Sequence, residues 1–416
     1  MGIYGSTALG IAGTIVLFRV LGPAQAGRFM IVWGVVDFLG LVFKMTSDEA
    51  LVKYGFRYAA AEDWPRFHRL VRVTFAFETG CSTLAGGIVA GIAPFADSIF
   101  RHGTGLLVPM LLASLVLPLA AVESIGGTLL ILRGRYDIRG GLLSFAMGLR
   151  LIGFVIGTQH GVTGAVVGLV AAQAVSTVAT AALGLVALQR FPKADPAPLG
   201  DDGHAVAKFV AQSSADTTLV SLRVWLAPLA LGVMRGPVDV GLFRAAQSPQ
   251  TSFSVLSAPV RMILLTEQTR DWEHGRPDAV FAGLRRYIAG TAVLMAVLVP
   301  PLVWFMPWLI RVVLGRDYLG ATDAARFIVA AAAVQLVFGW TKTLPVTIGR
   351  PGLRVIAHAI ESGVLLALII TFGRLWGVTG AGAAVLVSTL AYAGVWVALL
   401  NVIKADRKFP EGNSIG

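Results

Sequence analysis

Apolar stretches recur along the whole chain, each set off from the next by a short polar or Gly/Pro-marked segment. A helix needs roughly 20 mostly apolar residues to cross a bilayer. Twelve stretches fit that length: 3–21, 28–50, 73–93, 105–131, 142–158, 163–188, 209–233, 242–265, 287–310, 324–341, 355–373 and 380–402. No convincing cleavage site follows the first, which reads as an uncleaved anchor. The pattern predicts an all-α membrane protein of about 12 transmembrane helices.

The pattern also repeats. Leu21–Phe29 reads LGPAQAGRF, and Arg235–Phe243 reads RGPVDVGLF. The run Gly161-Val162-Thr163-Gly164-Ala165 recurs as Gly377-Val378-Thr379-Gly380-Ala381, and Gly134-Arg135 recurs as Gly349-Arg350. All three features return in the same order, 214 to 216 residues later. Each half holds six spans, an even number, so both halves enter the membrane in the same direction and form a parallel repeat. The predicted organisation is an N-terminal lobe over 1–188, a linker over 189–208, a C-terminal lobe over 209–403 and a tail over 404–416. The start of the linker, QRFPKADPAPLGDDGH, has the Pro and Asp content of a connector. In each turn Gly-Pro ends one helix, and the second Gly lets the backbone turn closely before the next.

Composition agrees. The chain is 56% hydrophobic and 14% charged with a mean hydropathy of +0.76, where soluble domains carry about 25% charged residues. A net charge of +11 would suggest nucleic acid in a soluble chain. Here most Lys and Arg outside the spans fall in the segments that are cytoplasmic if the N-terminus is inside. Both termini are therefore expected to be cytoplasmic, in a bacterial inner membrane, with no nucleic-acid partner. The single Cys81 excludes a disulfide framework or a Cys-rich metal site. The loops are too short for a soluble catalytic domain. No HExxH, GxSxG, P-loop or DxD signature occurs, so neither an enzyme nor a cofactor is expected.

Polarity sorts the spans. Span 7 carries Gln212, Ser213, Ser214, Asp216, Thr217, Thr218, Ser221 and Arg223, and span 8 runs from Arg244 and Gln247 through a Ser/Thr/Gln series to Arg261. Neither can face lipid along that side, and both read as lining a watery cavity. Charges inside spans cost about 2.5–3.5 kcal/mol each on insertion scales, so they face a cavity or a partner. On span 2, Asp37, Lys44 and Asp48 share one helical face, and Lys44 and Asp48 are spaced to pair. Asp216 and Arg223 repeat this spacing on span 7. Gly153-x3-Gly157 and Gly164-x3-Gly168 suit close helix packing.

Three stretches, FRVLGPAQAGRF (Phe18–Phe29), DEALVKYGFRY (Asp48–Tyr58) and LRGRYDIRG (Leu132–Gly140), resemble polysaccharide flippases. These belong to the superfamily that also holds multidrug and toxin extruders and lipid II flippases. The resemblance runs over nearly the whole chain. It implies two lobes around a central cavity, alternating access, and movement of an undecaprenyl-pyrophosphate-linked oligosaccharide to the outer leaflet. It also implies membrane lipids and polysaccharide polymerase machinery as partners. On this reading Arg19, Lys44, Arg223 and Arg244 attract the pyrophosphate, since Arg forks suit phosphate oxygens. Against it, Arg19 and Arg244 lie near span ends and could snorkel, and Lys44 and Arg223 could form structural ion pairs.

Asp37, Glu78, Glu123, Asp216 and Glu361 are acidic residues inside spans and candidates for ion coupling. Asp37 and Asp216 are favoured, with Asp48 beside Lys44. Glu361 and His358 stand i,i+3, so one could tune the other. Glu78 and Glu123 read better as partners for basic residues between helices. The alternative function is a cation antiporter of the multidrug and toxin extrusion type, which a basic cavity fits poorly. A membrane polymerase or ligase would need a sizeable outer loop, and none is present.

Overall fold

The computed structural model describes residues 2–44, 47–100, 105–200, 202–348, 350 and 352–405. Among these the chain is mostly helical, with no strand. The first half runs α1 (Gly2–Lys44), α2 (Ser47–Ala60), α3 (Trp64–Ile92), the single turn α4 (Ala96–Ile99), α5 (Leu107–Ala113), α6 (Val116–Leu132), α7 (Tyr136–Thr158) and α8 (Gly161–Gln189). The second half runs α9 (Asp202–Arg235), α10 (Pro237–Glu273), α11 (Pro277–Trp304), α12 (Met306–Val313), α13 (Thr322–Val337), the single turn α14 (Leu344–Thr347) and α15 (Gly352–Ala405).

Eight helical stretches among the described residues are long and apolar enough to cross a membrane. The chain is a multi-pass membrane protein. Eight is fewer than the twelve expected, in part because two stretches are each long enough for two crossings. Leu9–Ala60 and Gly352–Asn401 span 52 and 50 residues, more than twice the roughly 20 that one crossing needs. Each contains a glycine that breaks the helix: Gly22 at φ 64° and Gly377 at φ 57°. An L side chain there would sit in the left-handed region, which glycine enters without steric cost. Helices α9 and α10 have 34 and 37 residues, and Val224–Arg235 on α9 is apolar but shorter than a full crossing among the described residues.

Helix ends also extend past the expected span edges. The helix assigned to span 7 begins at Asp202 rather than 209. Hydropathy marks where the bilayer ends, and a helix can continue into water beyond it. At the start of α3, Asp63 caps the helix by accepting the Arg66 amide at 3.2 Å, with Pro65 in the first turn.

The described contacts form two compact units, Met1–Ala245 with Leu309–Gly320, and Ala246–Trp308 with Ala321–Gly416. In the first unit α7 lies along α8. Gly153 meets the Gly168 backbone and Gly157 meets Gly164 with no space for a Cβ, the close approach that small-residue pairs allow. A second core joins Tyr54, Tyr58, Phe67, Leu70 and Phe191. It ties the start of the linker to the first unit, helped by His68 Nε2 at 2.9 Å from the Pro192 carbonyl and the Ala197 amide donating to Pro65. In the second unit Trp340 and Trp396 pack edge to face at 5.7 Å beside Leu344, Ala357 and Tyr392.

Candidate functional site

The repeated Gly-Pro turns come together in the first unit. Gly22 breaks α1 ahead of Pro23, and Gly236, at φ 96°, separates α9 from Pro237 at the start of α10. The two turns then pack backbone to backbone. A Cβ on Gly27 would overlap the Pro237 carbonyl, and one on Gly241 would overlap the Pro23 carbonyl. Beside them Phe18 meets Tyr318 edge-on at 5.3 Å. Arg19 donates from Nε to the Val313 carbonyl at 2.8 Å and from Nη2 to the Val312 carbonyl. It thereby satisfies the carbonyl end of α12, where a cation also suits the helix dipole.

Past these turns, α1, α9 and α10 assemble a charged centre. Arg244 lies on the Trp225 ring, its Cζ 3.9 Å from the ring centroid, and its Nε and Nη2 are buried. The Trp225 ring fits because Gly34 faces it; a side chain at 34 would press on the indole. Asp37 accepts a hydrogen bond from Trp33, one helical turn earlier, and lies in the field of both Arg244 and Arg150. Stacking on an aromatic face lets a guanidinium remain charged in an apolar place.

Arg150 leads into a second set of contacts. It donates to Gln173 Oε1, and Gln173 Nε2 donates to Glu123 Oε2 at 2.6 Å. Ser176 Oγ donates to the same oxygen at 3.2 Å, and Arg150 Nη2 stands 4.0 Å from it. Arg139 lies against Gly127 and interacts electrostatically with Glu123 and Asp48. Charges therefore alternate from helix to helix: Arg244, Asp37, Arg150, Glu123, Arg139, Asp48. Each buried ion has a neighbour of opposite sign, which offsets its desolvation. A cavity of about 330 Å³ lies among α2, α6 and α7, lined by Asp48, Glu49, Glu123, Arg139 and Arg150 with Ser124 and Thr128.

The second unit holds a different set. Glu361 is 1% exposed, and His358 Nδ1 stands 3.3 Å from its Oε2. The His358 ring stacks on Tyr392, whose hydroxyl pairs with Thr341 Oγ1 at 2.8 Å. Gln250 donates to Gln335, which donates to Thr389. Thr343 donates to Gln268 at 2.7 Å.

The structure thus brings Arg244 and Asp37 together and places Asp48 on the cavity. It joins His358 to Glu361 in the other unit and engages Arg19 at a helix end. The side chains of Lys44, Asp216 and Arg223 lie outside the described residues. Trp33, Trp225, Arg150 and Gln173 were not singled out by the sequence reading. Intramembrane charge was the available signal for Arg150, but no spacing rule links it to Glu123 and Gln173 on other helices. Among the described residues no cluster of three His, Cys, Asp or Glu could hold a metal.

The fold is similar to that of several solved structures described as MOP-superfamily transporters or flippases. An inward-facing multidrug resistance transporter of the MATE family in that superfamily matches with a TM-score of 0.71 at 14% identity, over 96% of this chain and 96% of its own. The lipid II flippase MurJ, in an inward closed conformation, matches with a TM-score of 0.76 at 12% identity, over 96% of this chain and 86% of its own. A MOP-superfamily transporter from Pyrococcus furiosus, described as having a binding pocket of reverse polarity, matches with a TM-score of 0.56 at 16% identity, over 97% and 93%. No family model matches the chain, and no curated protein does either.

Proposed function

We propose that this protein is a flippase for an oligosaccharide carried on undecaprenyl pyrophosphate. It moves the lipid-linked glycan to the outer leaflet of a bacterial inner membrane by alternating access, using twelve spans in two parallel six-helix lobes with both termini cytoplasmic. The observation that carries this reading is Arg244, buried on Trp225 beside Asp37. A guanidinium held in an apolar setting is suited to a diphosphate and repels a cation. Lys44 and Arg223 are proposed to add positive charge along the same path. The described neighbours include one lipid flippase and MATE transporters in inward-facing and outward-facing conformations. Membrane lipids and a polysaccharide polymerase are the proposed partners, and the protein itself is proposed to carry out no catalysis.

Asp37 favours the second reading, cation antiport, because a carboxylate within a membrane helix can hold a cation or a proton. Depleting the protein from cells decides between the two. The flippase reading expects lipid-linked glycan to accumulate in the inner leaflet with drug sensitivity unchanged. Normal lipid intermediates with new sensitivity to cationic drugs would establish the antiporter instead.

A further inference from the structure

The cavity among α2, α6 and α7 has walls of both signs. Asp48, Glu49 and Glu123 bring three carboxylates, and Arg139 and Arg150 bring two guanidiniums. Ser124 and Thr128 add hydroxyls, and Ile131 and Leu143 add aliphatic surface. The guanidiniums repel a cation and the carboxylates repel an anion, so a ligand with net charge of either sign is disfavoured. An apolar ligand would leave the polar walls unpaired. The lining suits a neutral molecule that donates and accepts hydrogen bonds and also has apolar faces. A sugar ring has this character: its hydroxyls do both, and its C–H groups rest on aliphatic walls. The volume of about 330 Å³ is at the lower end of the roughly 300–1,000 Å³ of small-molecule sites, fit for a single ring rather than a whole glycan.

Two of these groups are held in place from α8. Glu123 is buried, and its Oε2 accepts from Gln173 Nε2 at 2.6 Å and from Ser176 Oγ at 3.2 Å. Arg150 donates to Gln173 Oε1. Donors and acceptors already fixed lose little freedom when a ligand arrives. A third group is short of a partner. Arg139 packs on the Gly127 backbone, where a Cβ would overlap its guanidinium. Its Nη1 is buried with no hydrogen-bond partner among the described residues, a donor that folded proteins rarely leave unused.

We propose that this cavity is a sugar-binding site. It holds one ring of the cargo's glycan, with Asp48 and Glu123 accepting from ring hydroxyls and Arg139 donating to a hydroxyl oxygen once its guanidinium turns off Gly127. Different residues then recognise the two ends of the head group: Arg244 on Trp225 takes the diphosphate, and this cavity takes the sugar. The choice of a sugar over a zwitterion, which also matches walls of both signs, rests on the flippase reading.

Saturation-transfer NMR on the full chain tests it, in lipid nanodiscs because sugar-headed detergents would compete for the site. The probes are the methyl glycosides of glucose, galactose and N-acetylglucosamine, with glycine as the zwitterion. At least one glycoside should receive saturation at its ring protons, and glycine should receive none. Leu143→Trp fills the cavity without changing its charge and should abolish the transfer. Arg139→Gln should weaken binding about tenfold, the worth of one hydrogen bond from a charged donor. Arg244→Gln should bind the glycoside as wild type does. The inference is overturned by no transfer to any glycoside, by transfer undiminished in Leu143→Trp or in Arg139→Gln, by loss of transfer in Arg244→Gln, or by transfer to glycine that Leu143→Trp removes. Each of these leaves the flippase reading standing if depleted cells accumulate lipid-linked glycan. Glycoside binding with all the expected variant effects, beside normal lipid intermediates in depleted cells, refutes the flippase reading and leaves the sugar site in place.

Discussion

Gly161 and Gly377, one in each unit, both break the helical path with positive φ, 71° and 57°. Twelve residues beyond each stands a polar side chain, Gln173 in one unit and Thr389 in the other. Fifteen residues beyond stand Ser176 and Tyr392. The chemistry at these positions differs. Gln173 and Ser176 both donate to a buried carboxylate with a guanidinium behind it. Thr389 accepts from a neutral Gln335, and Tyr392 pairs with the neutral Thr341. Glycine turns and small-residue contacts constrain the helices, and they leave the facing polar positions open to change. In one unit the side chains at those positions serve opposed charges, Glu123 and Arg150, and in the other they hydrogen-bond to neutral partners.

The difference is measurable as stability. Glu123→Leu removes the partner of two guanidiniums and should be the most damaging change, costing about 3–5 kcal/mol, as when one member of a buried pair is lost. Loss of monodisperse protein on heating in detergent reads it, and wild-type behaviour would mean the first unit's charges are independent. Gly161→Ala and Gly377→Ala test whether the two turns behave alike. Each forces a Cβ to positive φ at about 1–2 kcal/mol, and the two should lower the melting point by similar amounts; a large difference would mean the turns are not alike. Gln335→Leu in the neutral network should cost about 1 kcal/mol, the worth of an ordinary hydrogen bond. A loss as large as that of Glu123→Leu would erase the contrast.

Much of the fold was legible from pattern alone. The apolar stretches located the helices because bilayer thickness imposes a length, and the polar character of α9 and α10 was plain in their Ser, Thr and Gln content. The Gly-Pro turns were visible as a repeat, though not that they pack against each other, because contact between distant turns has no local signature. The charged site was legible only in part. Asp37 and Arg244 stood out as intramembrane charges, but they were sorted by helix into separate roles, ion coupling and substrate binding, and the fold makes them neighbours. Asp48 was read as Lys44's partner, a pairing that lies outside the described residues because the Lys44 side chain does; the Asp48 carboxylate itself lines the cavity near Arg139. Trp225 escaped notice because an aromatic residue in a membrane helix is unremarkable until a guanidinium lies on it.

The most direct measurement is transport in proteoliposomes loaded with a leaflet-labelled undecaprenyl-pyrophosphate glycan, run side by side for wild type and Arg244→Gln, with a cationic dye as the competing cargo. The account predicts that wild type moves the lipid and not the dye, and that Arg244→Gln, still folded, moves neither. Dye transport by wild type with the lipid left in place, or lipid transport undiminished in Arg244→Gln, would contradict it.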